Sequence, residues 1–122
     1  MQPRRFEQLN ITVRSEEGGT FIAVDGRVTV DSSPTLRERV LAMLYRESLP
    51  VLTIDLTAVP YIDTSGLATL VEALKVARAG NTSLRLRLNN RPRYLLEVTG
   101  LLHLFEASAD LTAGSASKDN SC

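Results

Sequence analysis

An α/β domain with a mixed, mostly parallel β-sheet and helices packed mainly on one side is the fold class this sequence predicts, on three observations. An apolar segment from Val51 to Leu56, an amphipathic stretch from Leu67 to Leu74 and an alternating stretch from Leu84 to Leu88 follow one another as strand, helix and strand. Such a βαβ unit crosses over right-handed between parallel neighbours. Ahead of it, Leu9 to Arg14 and Thr20 to Asp25 alternate apolar and polar around Glu16, Glu17, Gly18 and Gly19, the pattern of an antiparallel hairpin. The 122 residues are 43% hydrophobic and 23% charged, which suits one domain. A chain of this size buries about two thirds of its unfolded surface and needs neither disulfide nor metal to fold.

The hairpin comes first. Ser33 and Pro34 then supply an N-cap and a first-turn proline, and Leu36, Val40, Met43 and Leu44 fall at i, i+4, i+7 and i+8, predicting an amphipathic helix that ends near Glu47. Past Pro50, Val51 to Leu56 is nearly all apolar with Asp55 close to its end, as suits a central strand. Asp63 is placed to cap a second helix whose Leu67, Leu70, Val71 and Leu74 repeat the helical spacing, with Gly80 and Asn81 as its stop. Leu84 to Leu88 reads LRLRL, a period of two that puts three leucines on one face and Arg85 and Arg87 on a wet one. A short helix is expected from near Pro92 to Thr99, ended by Gly100 and followed by an apolar segment from Leu101 to Phe105. From Ala109 the chain turns small and polar, so residues 1–108 are expected to form the domain and 109–122 a disordered tail.

Fourteen basic and fourteen acidic residues give a formal net charge of zero. Binding nucleic acid or an anionic membrane through bulk charge needs a basic excess that this chain lacks. The opening residues hold no apolar stretch suited to a signal peptide, and no run of ~18 apolar residues could span a bilayer. Cys122 stands alone at the C-terminus, which excludes an internal disulfide and a cluster of thiolates. A reducing, cytoplasmic setting without membrane insertion is therefore expected.

Catalytic patterns are weak. At Ser65 the GxSxG elbow fails, because Asp63 and Leu67 stand where its glycines belong. His103, the only histidine, lies in the apolar Leu101 to Phe105 segment and reads as a packed or surface residue, not a base. Ser115 and Lys118 match SxxK but fall in the tail, where nothing would hold them in a reactive geometry. Neither a Walker loop nor GxGxxG is present, and no cofactor or metal is expected. A small hydrolase using Ser65 would have to be labelled by a serine-reactive phosphonate, which these residues do not lead one to expect. Arg85, Arg87, Arg91, Arg93 and Tyr94 read as a solvated sheet face and loop, not an RNA-binding surface, given the neutral whole.

The informative stretch is Tyr61 to Leu70, YIDTSGLATL, where a loop leaves a buried strand and enters a helix. With Asp63 as N-cap, Ser65 falls in the first helical turn, where unpaired backbone N–H groups and the helix dipole favour negative charge. Gly66 lacks a Cβ and, with the small neighbours Thr64 and Ala68, is expected to let a partner backbone or a phosphate approach an outward-facing Ser65 hydroxyl. Capping alone would also account for Asp, Thr and Ser in such a turn.

Together these segments resemble the STAS family, the sulfate-transporter and anti-sigma-factor-antagonist domain, and within it the single-domain anti-anti-sigma factors of bacteria. The likeness spans about Leu9 to Ala107: Val24 to Gly26, then Pro34 and Leu36 opening the first helix, Leu52 to Leu56, the signature loop Ile62 to Leu67, and Gly100 to Phe105. The resemblance implies that Ser65, directly before the signature glycine, is the phosphorylation site, with Asp63, Thr64, Gly66 and Leu67 around it as partner-binding surface. It implies a partner, an anti-sigma factor serine kinase with a histidine-kinase-like ATPase fold, captured only while that serine is free, and a serine phosphatase that resets the switch. Where the family often carries an acid beside the serine, three positions after Gly26, this chain has Thr29, with Asp31 two positions on. Both are expected in the same surface. The alternative that the resemblance also implies is a STAS subunit of an ABC lipid-transport complex or of a stress-signalling assembly.

Overall fold

The computed structural model describes residues 9–16, 19–46, 49–103, 105 and 110–113. Strands β1 (Asn10–Glu16) and β2 (Gly19–Asp25) form the hairpin, helix α1 (Ser33–Arg46) follows, and β3 (Val51–Ala58), α2 (Thr64–Ala79) and β4 (Ser83–Leu88) make the βαβ unit. Helix α3 (Asn90–Val98) and strand β5 (Asp110–Ala113) complete the order. The sheet runs β1-β2-β3-β4-β5, antiparallel between β1 and β2 and parallel between all later neighbours. Fold class and hairpin agree with the sequence-based expectation.

Register explains where the core sits. Ile22 lies opposite Ile54, and Ile54 opposite Leu86, while Leu52 faces Leu84. Residues in register share a face, so the two-residue period of each strand becomes one apolar row across the sheet. All of these side chains are buried, and they share one cluster with Leu36 and Val40 of α1, Leu70 and Leu74 of α2, Leu96 of α3, and Phe105. Burying each such side chain contributes about 1.5–3 kcal/mol. The opposite face is polar: Arg87 stands 3.8 Å from Asp55, Arg85 is exposed, and the Arg14 guanidinium lies 5.1 Å from the Phe21 ring centre. The helices described thus cover one face and leave the other wet. On the surface, Arg37 of α1 grips Glu72 of α2 in a two-pronged pair at 2.7 and 2.8 Å, fixing how the two helices sit more than how stable they are.

Several boundaries differ from the sequence-based reading. Ser33, expected as an N-cap, is the first residue of α1. Ser32 takes the cap position, its carbonyl accepting the N–H groups of Thr35 and Leu36, and Pro34 still falls within the turn whose N–H groups have no helical partner. Helix α3 starts at Asn90, ahead of Pro92, because the Asn89 side chain caps it by accepting from the Arg91 N–H, while its amide donates to the carbonyls of Thr57 and Val59. The stop of α2 is where it was expected: Gly80 (φ −99°) is the C-cap, and Asn81 (φ 61°) follows in the left-handed region. The tail expected from Ala109 contains β5, whose Leu111 pairs with Leu86. Residues Asp110–Ala113 are therefore part of the sheet, since the edge of β4 offers hydrogen bonds that composition does not reveal. Glu47, Ser115, Lys118 and Cys122 lie outside the described residues.

One consequence of the topology positions the site. Because β2 and β3 are parallel neighbours, their C-terminal ends open to the same side, where open α/β sheets gather their functional loops. An isolated parallel bridge between Val28 and Ile62 prolongs the pairing beyond the strands. The Val28 N–H donates to Tyr61 at 2.9 Å, and the Asp63 N–H to Val28 at 3.1 Å. The entries to α1 and α2 are thereby held side by side.

Candidate functional site

Asp63 organises this junction. Its Oδ1 accepts the N–H groups of Ser65 (3.0 Å) and Gly66 (3.2 Å), which α2 could not satisfy internally, and its Oδ2 accepts the N–H of Val30 from the neighbouring loop at 3.1 Å. Asp63 Oδ1 also takes the hydroxyl proton of Ser65 at 2.6 Å, a short bond of the charge-assisted kind. Cap, loop clamp and serine holder are the same carboxylate.

Burial by itself would raise the pKa of this carboxyl. The Ser65 hydroxyl, and then the N–H groups of Gly66, Ser65 and Val30, outweigh burial and hold it below its usual 3.8. A carboxyl whose pKa is lower folded than unfolded adds stability above the unfolded value, and that gain disappears as pH falls through the folded one. Asp63→Ala should therefore cost about 1–2 kcal/mol at neutral pH. The gap between variant and wild type should close below about pH 4, where the unfolded carboxyl protonates. Denaturant melts across pH 2.5 to 7 would show this, and a gap that stayed constant would mean that the charge does not matter.

Ser65 is half-buried at the first turn of α2, Thr64 and Ala68 beside it are exposed, and Gly66 and Leu67 are buried. The serine is partly exposed and its hydroxyl is held from within. The reading of Gly66 as an opening for an approaching molecule is overturned. A Cβ at Gly66 would stand 2.5 Å from Ile62 Cγ1 and 2.7 Å from Val28 Cγ1, so the missing side chain makes room inward, for the bridge between the two loops. Leu67, expected in the partner surface, is only 3% exposed and belongs to the core.

The second loop brings a residue that the sequence marks only as a helix cap. Ser33, at the start of α1, donates its hydroxyl to Ser65 Oγ at 3.2 Å. Thr29, which stands where an acid was expected, is buried, and its Oγ1 accepts the N–H of the exposed Asp31 at 3.2 Å. The contact with Ser65 is thus made four residues further along than expected. Thirty-two residues separate Ser33 from Ser65, and the parallel pairing of β2 with β3, prolonged by the Val28–Ile62 bridge, brings them together.

Around the serine the surface is apolar and partly aromatic. Val30 is 69% exposed and Tyr94 63%, and the Arg27 guanidinium lies 4.7 Å from the Tyr61 ring centre. A cavity of about 390 Å³ opens alongside, lined by Tyr61, Asp63, Thr64, Leu67, Arg91 and Tyr94 among others. His103 is exposed and takes no part. Among the described residues no group of three or more His, Cys, Asp or Glu is placed to hold a metal ion, and no helix is long and apolar enough to cross a membrane.

Comparison with known proteins agrees with this architecture. The STAS domain model matches residues 10–115. The anti-sigma-B factor antagonist of Bacillus subtilis is 31% identical over 107 residues, covering 87% of this chain and 96% of that protein. The anti-sigma-B factor antagonist of Listeria monocytogenes is 34% identical over 102 residues, 80% of this chain and 89% of that protein. The crystal structure of an anti-sigma factor antagonist from Mycobacterium paratuberculosis superimposes with a TM-score of 0.75 at 20% identity, over 92% of this chain and 90% of its own, a likeness of fold. The chain belongs to the STAS domain family and, within it, stands with the anti-sigma factor antagonists.

Proposed function

We infer that this protein is a non-enzymatic anti-sigma factor antagonist, working in the cytoplasm, that captures a kinase-type anti-sigma factor and releases it once Ser65 is phosphorylated. The family and the names of its relatives support the antagonist role. The regulated step rests on one observation: Ser65 is partly exposed and its Oγ is held at 2.6 Å by Asp63, whose other oxygen takes the N–H of exposed Val30, and Tyr61 and Tyr94 line the cavity alongside Asp63. A kinase needs a hydroxyl presented in a fixed direction, and a docking partner needs apolar surface around it.

Phosphorylation adds a charge of about −1.5 to −2 at neutral pH. It also replaces the hydroxyl hydrogen that Asp63 accepts, so an ester here sets its own charge beside a carboxylate. Beside one partner carboxylate at ~4 Å, each unit of charge costs roughly 1–4 kcal/mol, and about 1.4 kcal/mol is tenfold in affinity. Release would then need no refolding. Incubating the protein with the anti-sigma kinase of the same genome and radiolabelled ATP should label wild type and leave Ser65→Ala unlabelled. Continued labelling of the alanine variant would place the modification elsewhere, and co-purification with an ABC-transporter ATPase in place of the kinase would overturn the partner.

A further inference from the structure

Resting on the reading of Ser65 as a kinase substrate, we propose that Ser33 is a positioning residue for that phosphorylation, aiming the Ser65 oxygen at the incoming phosphorus. A serine hydroxyl carries one donor and two acceptor directions. At 2.6 Å from an oxygen of the ionised Asp63, the single proton of Ser65 must lie between the two atoms. Ser65 can then only accept from Ser33, and the 3.2 Å contact between the hydroxyls takes up one of its two lone pairs. One lone pair remains, at a residue that is half-exposed. Donor and first acceptor direction together fix the rotation of the side chain and so the line along which the last lone pair points.

Ser33 is built to act as such a stop. It is 6% exposed, its N–H is held by the Thr29 carbonyl at 2.7 Å, and Pro34 follows it in the first turn of α1, so its backbone has little freedom. In the transfer itself, Ser65 Oγ bonds to the γ-phosphorus of ATP, the bond from that phosphorus to the β–γ bridging oxygen breaks with its electron pair leaving on ADP, and the hydroxyl proton departs through Asp63 Oδ1 to water. Protein contributions to phosphoryl transfer are mostly alignment and charge stabilisation, so a residue that only aims the nucleophile acts on turnover. Ser33 is only 6% exposed, so its removal should leave docking alone.

The test is steady-state phosphorylation by the anti-sigma kinase of the same genome with ATP, titrating wild type, Ser33→Ala and Ser33→Thr as substrates. Ser33→Ala is expected to lower kcat about three- to tenfold, the factor that one neutral hydrogen bond corresponds to, with KM for the antagonist unchanged. Ser33→Thr, which keeps the hydroxyl, should recover most of the loss. In parallel, three-bond couplings should report one Ser65 χ1 rotamer in wild type and averaging in Ser33→Ala, with thermal midpoints alike. Equal kcat for wild type and Ser33→Ala overturns the positioning role while Ser65 remains the site. A loss shared by Ser33→Thr, or one that appears in KM, assigns Ser33 to packing or docking instead and likewise overturns it. A wild type that takes no label at Ser65 removes the functional reading, and this inference with it.

Discussion

Ser65→Asp is expected to weaken capture of the anti-sigma factor about ten- to a hundredfold, while Ser65→Ala binds as the wild type does. The carboxylate introduces a full charge at an oxygen position that Asp63 Oδ1 approaches to 2.6 Å, and it has no proton to offer. Two carboxylates so placed repel each other, and the pair adds its charge to a partly exposed helix start beside the loop that carries exposed Val30. At ~1.4 kcal/mol per factor of ten, the range corresponds to roughly 1.4–2.8 kcal/mol, within what one extra charge costs near a partially buried like charge. Ser65→Asn separates size from charge, being close to aspartate in shape and neutral. Isothermal titration of the three variants against the same kinase decides the matter. If Ser65→Asn weakens binding as much as Ser65→Asp, bulk governs release and the electrostatic account fails.

The second large effect is on folding. A helix interior ordinarily gains about 1 kcal/mol when glycine becomes alanine. At Gly66 the sign should reverse. The new Cβ would meet three side-chain carbons, Ile62 Cγ1 at 2.5 Å, Val28 Cγ1 at 2.7 Å and Ile62 Cδ1 at 2.9 Å, all from residues that are themselves buried and paired across the loop bridge. Overpacking of this kind costs about 1–3 kcal/mol, which exceeds the propensity gain. Gly66→Ala should lower the thermal midpoint by several degrees, at about 4–8 °C per kcal/mol for a small domain, and Gly66→Val should lower it further. A stabilised Gly66→Ala would mean that Ile62 and Val28 simply move aside. Binding lost without any change in midpoint would restore the view of this glycine as an opening toward a partner.

Local chemistry was legible in the sequence and juxtaposition was not. The LRLRL alternation announces β4, because side-chain direction in a strand depends only on parity. Asp63 announces the start of α2, because a cap acts within three residues of itself. Asn89 is masked as a cap by Pro92, a residue that suits a helix's first turn and so points to a later start than the true one. Ser33 is marked locally only as a helix start: its contact with Ser65 comes from the segments after β2 and β3 lying side by side, a relation between distant parts of the chain. At Gly66 the sequence tells that a Cβ is missing and not which neighbours fill the place it would occupy, and the structure turns that space inward. The strand β5 was hidden by composition, as Asp110 to Ala113 is held by what lies beside it.

The bridge between Val28 and Ile62 has an implication for how a modified serine would be read. With the two loops stitched backbone to backbone and Asp63 tying Val30 to the start of α2, the junction has little slack with which to answer an added phosphate by changing outline. A partner would then compare two nearly superimposable surfaces that differ in potential alone. Discrimination of that sort fades as dissolved ions shorten the reach of a charge to ~8 Å and below, so the ratio of the two affinities should shrink with rising ionic strength, which no rearrangement of shape would require.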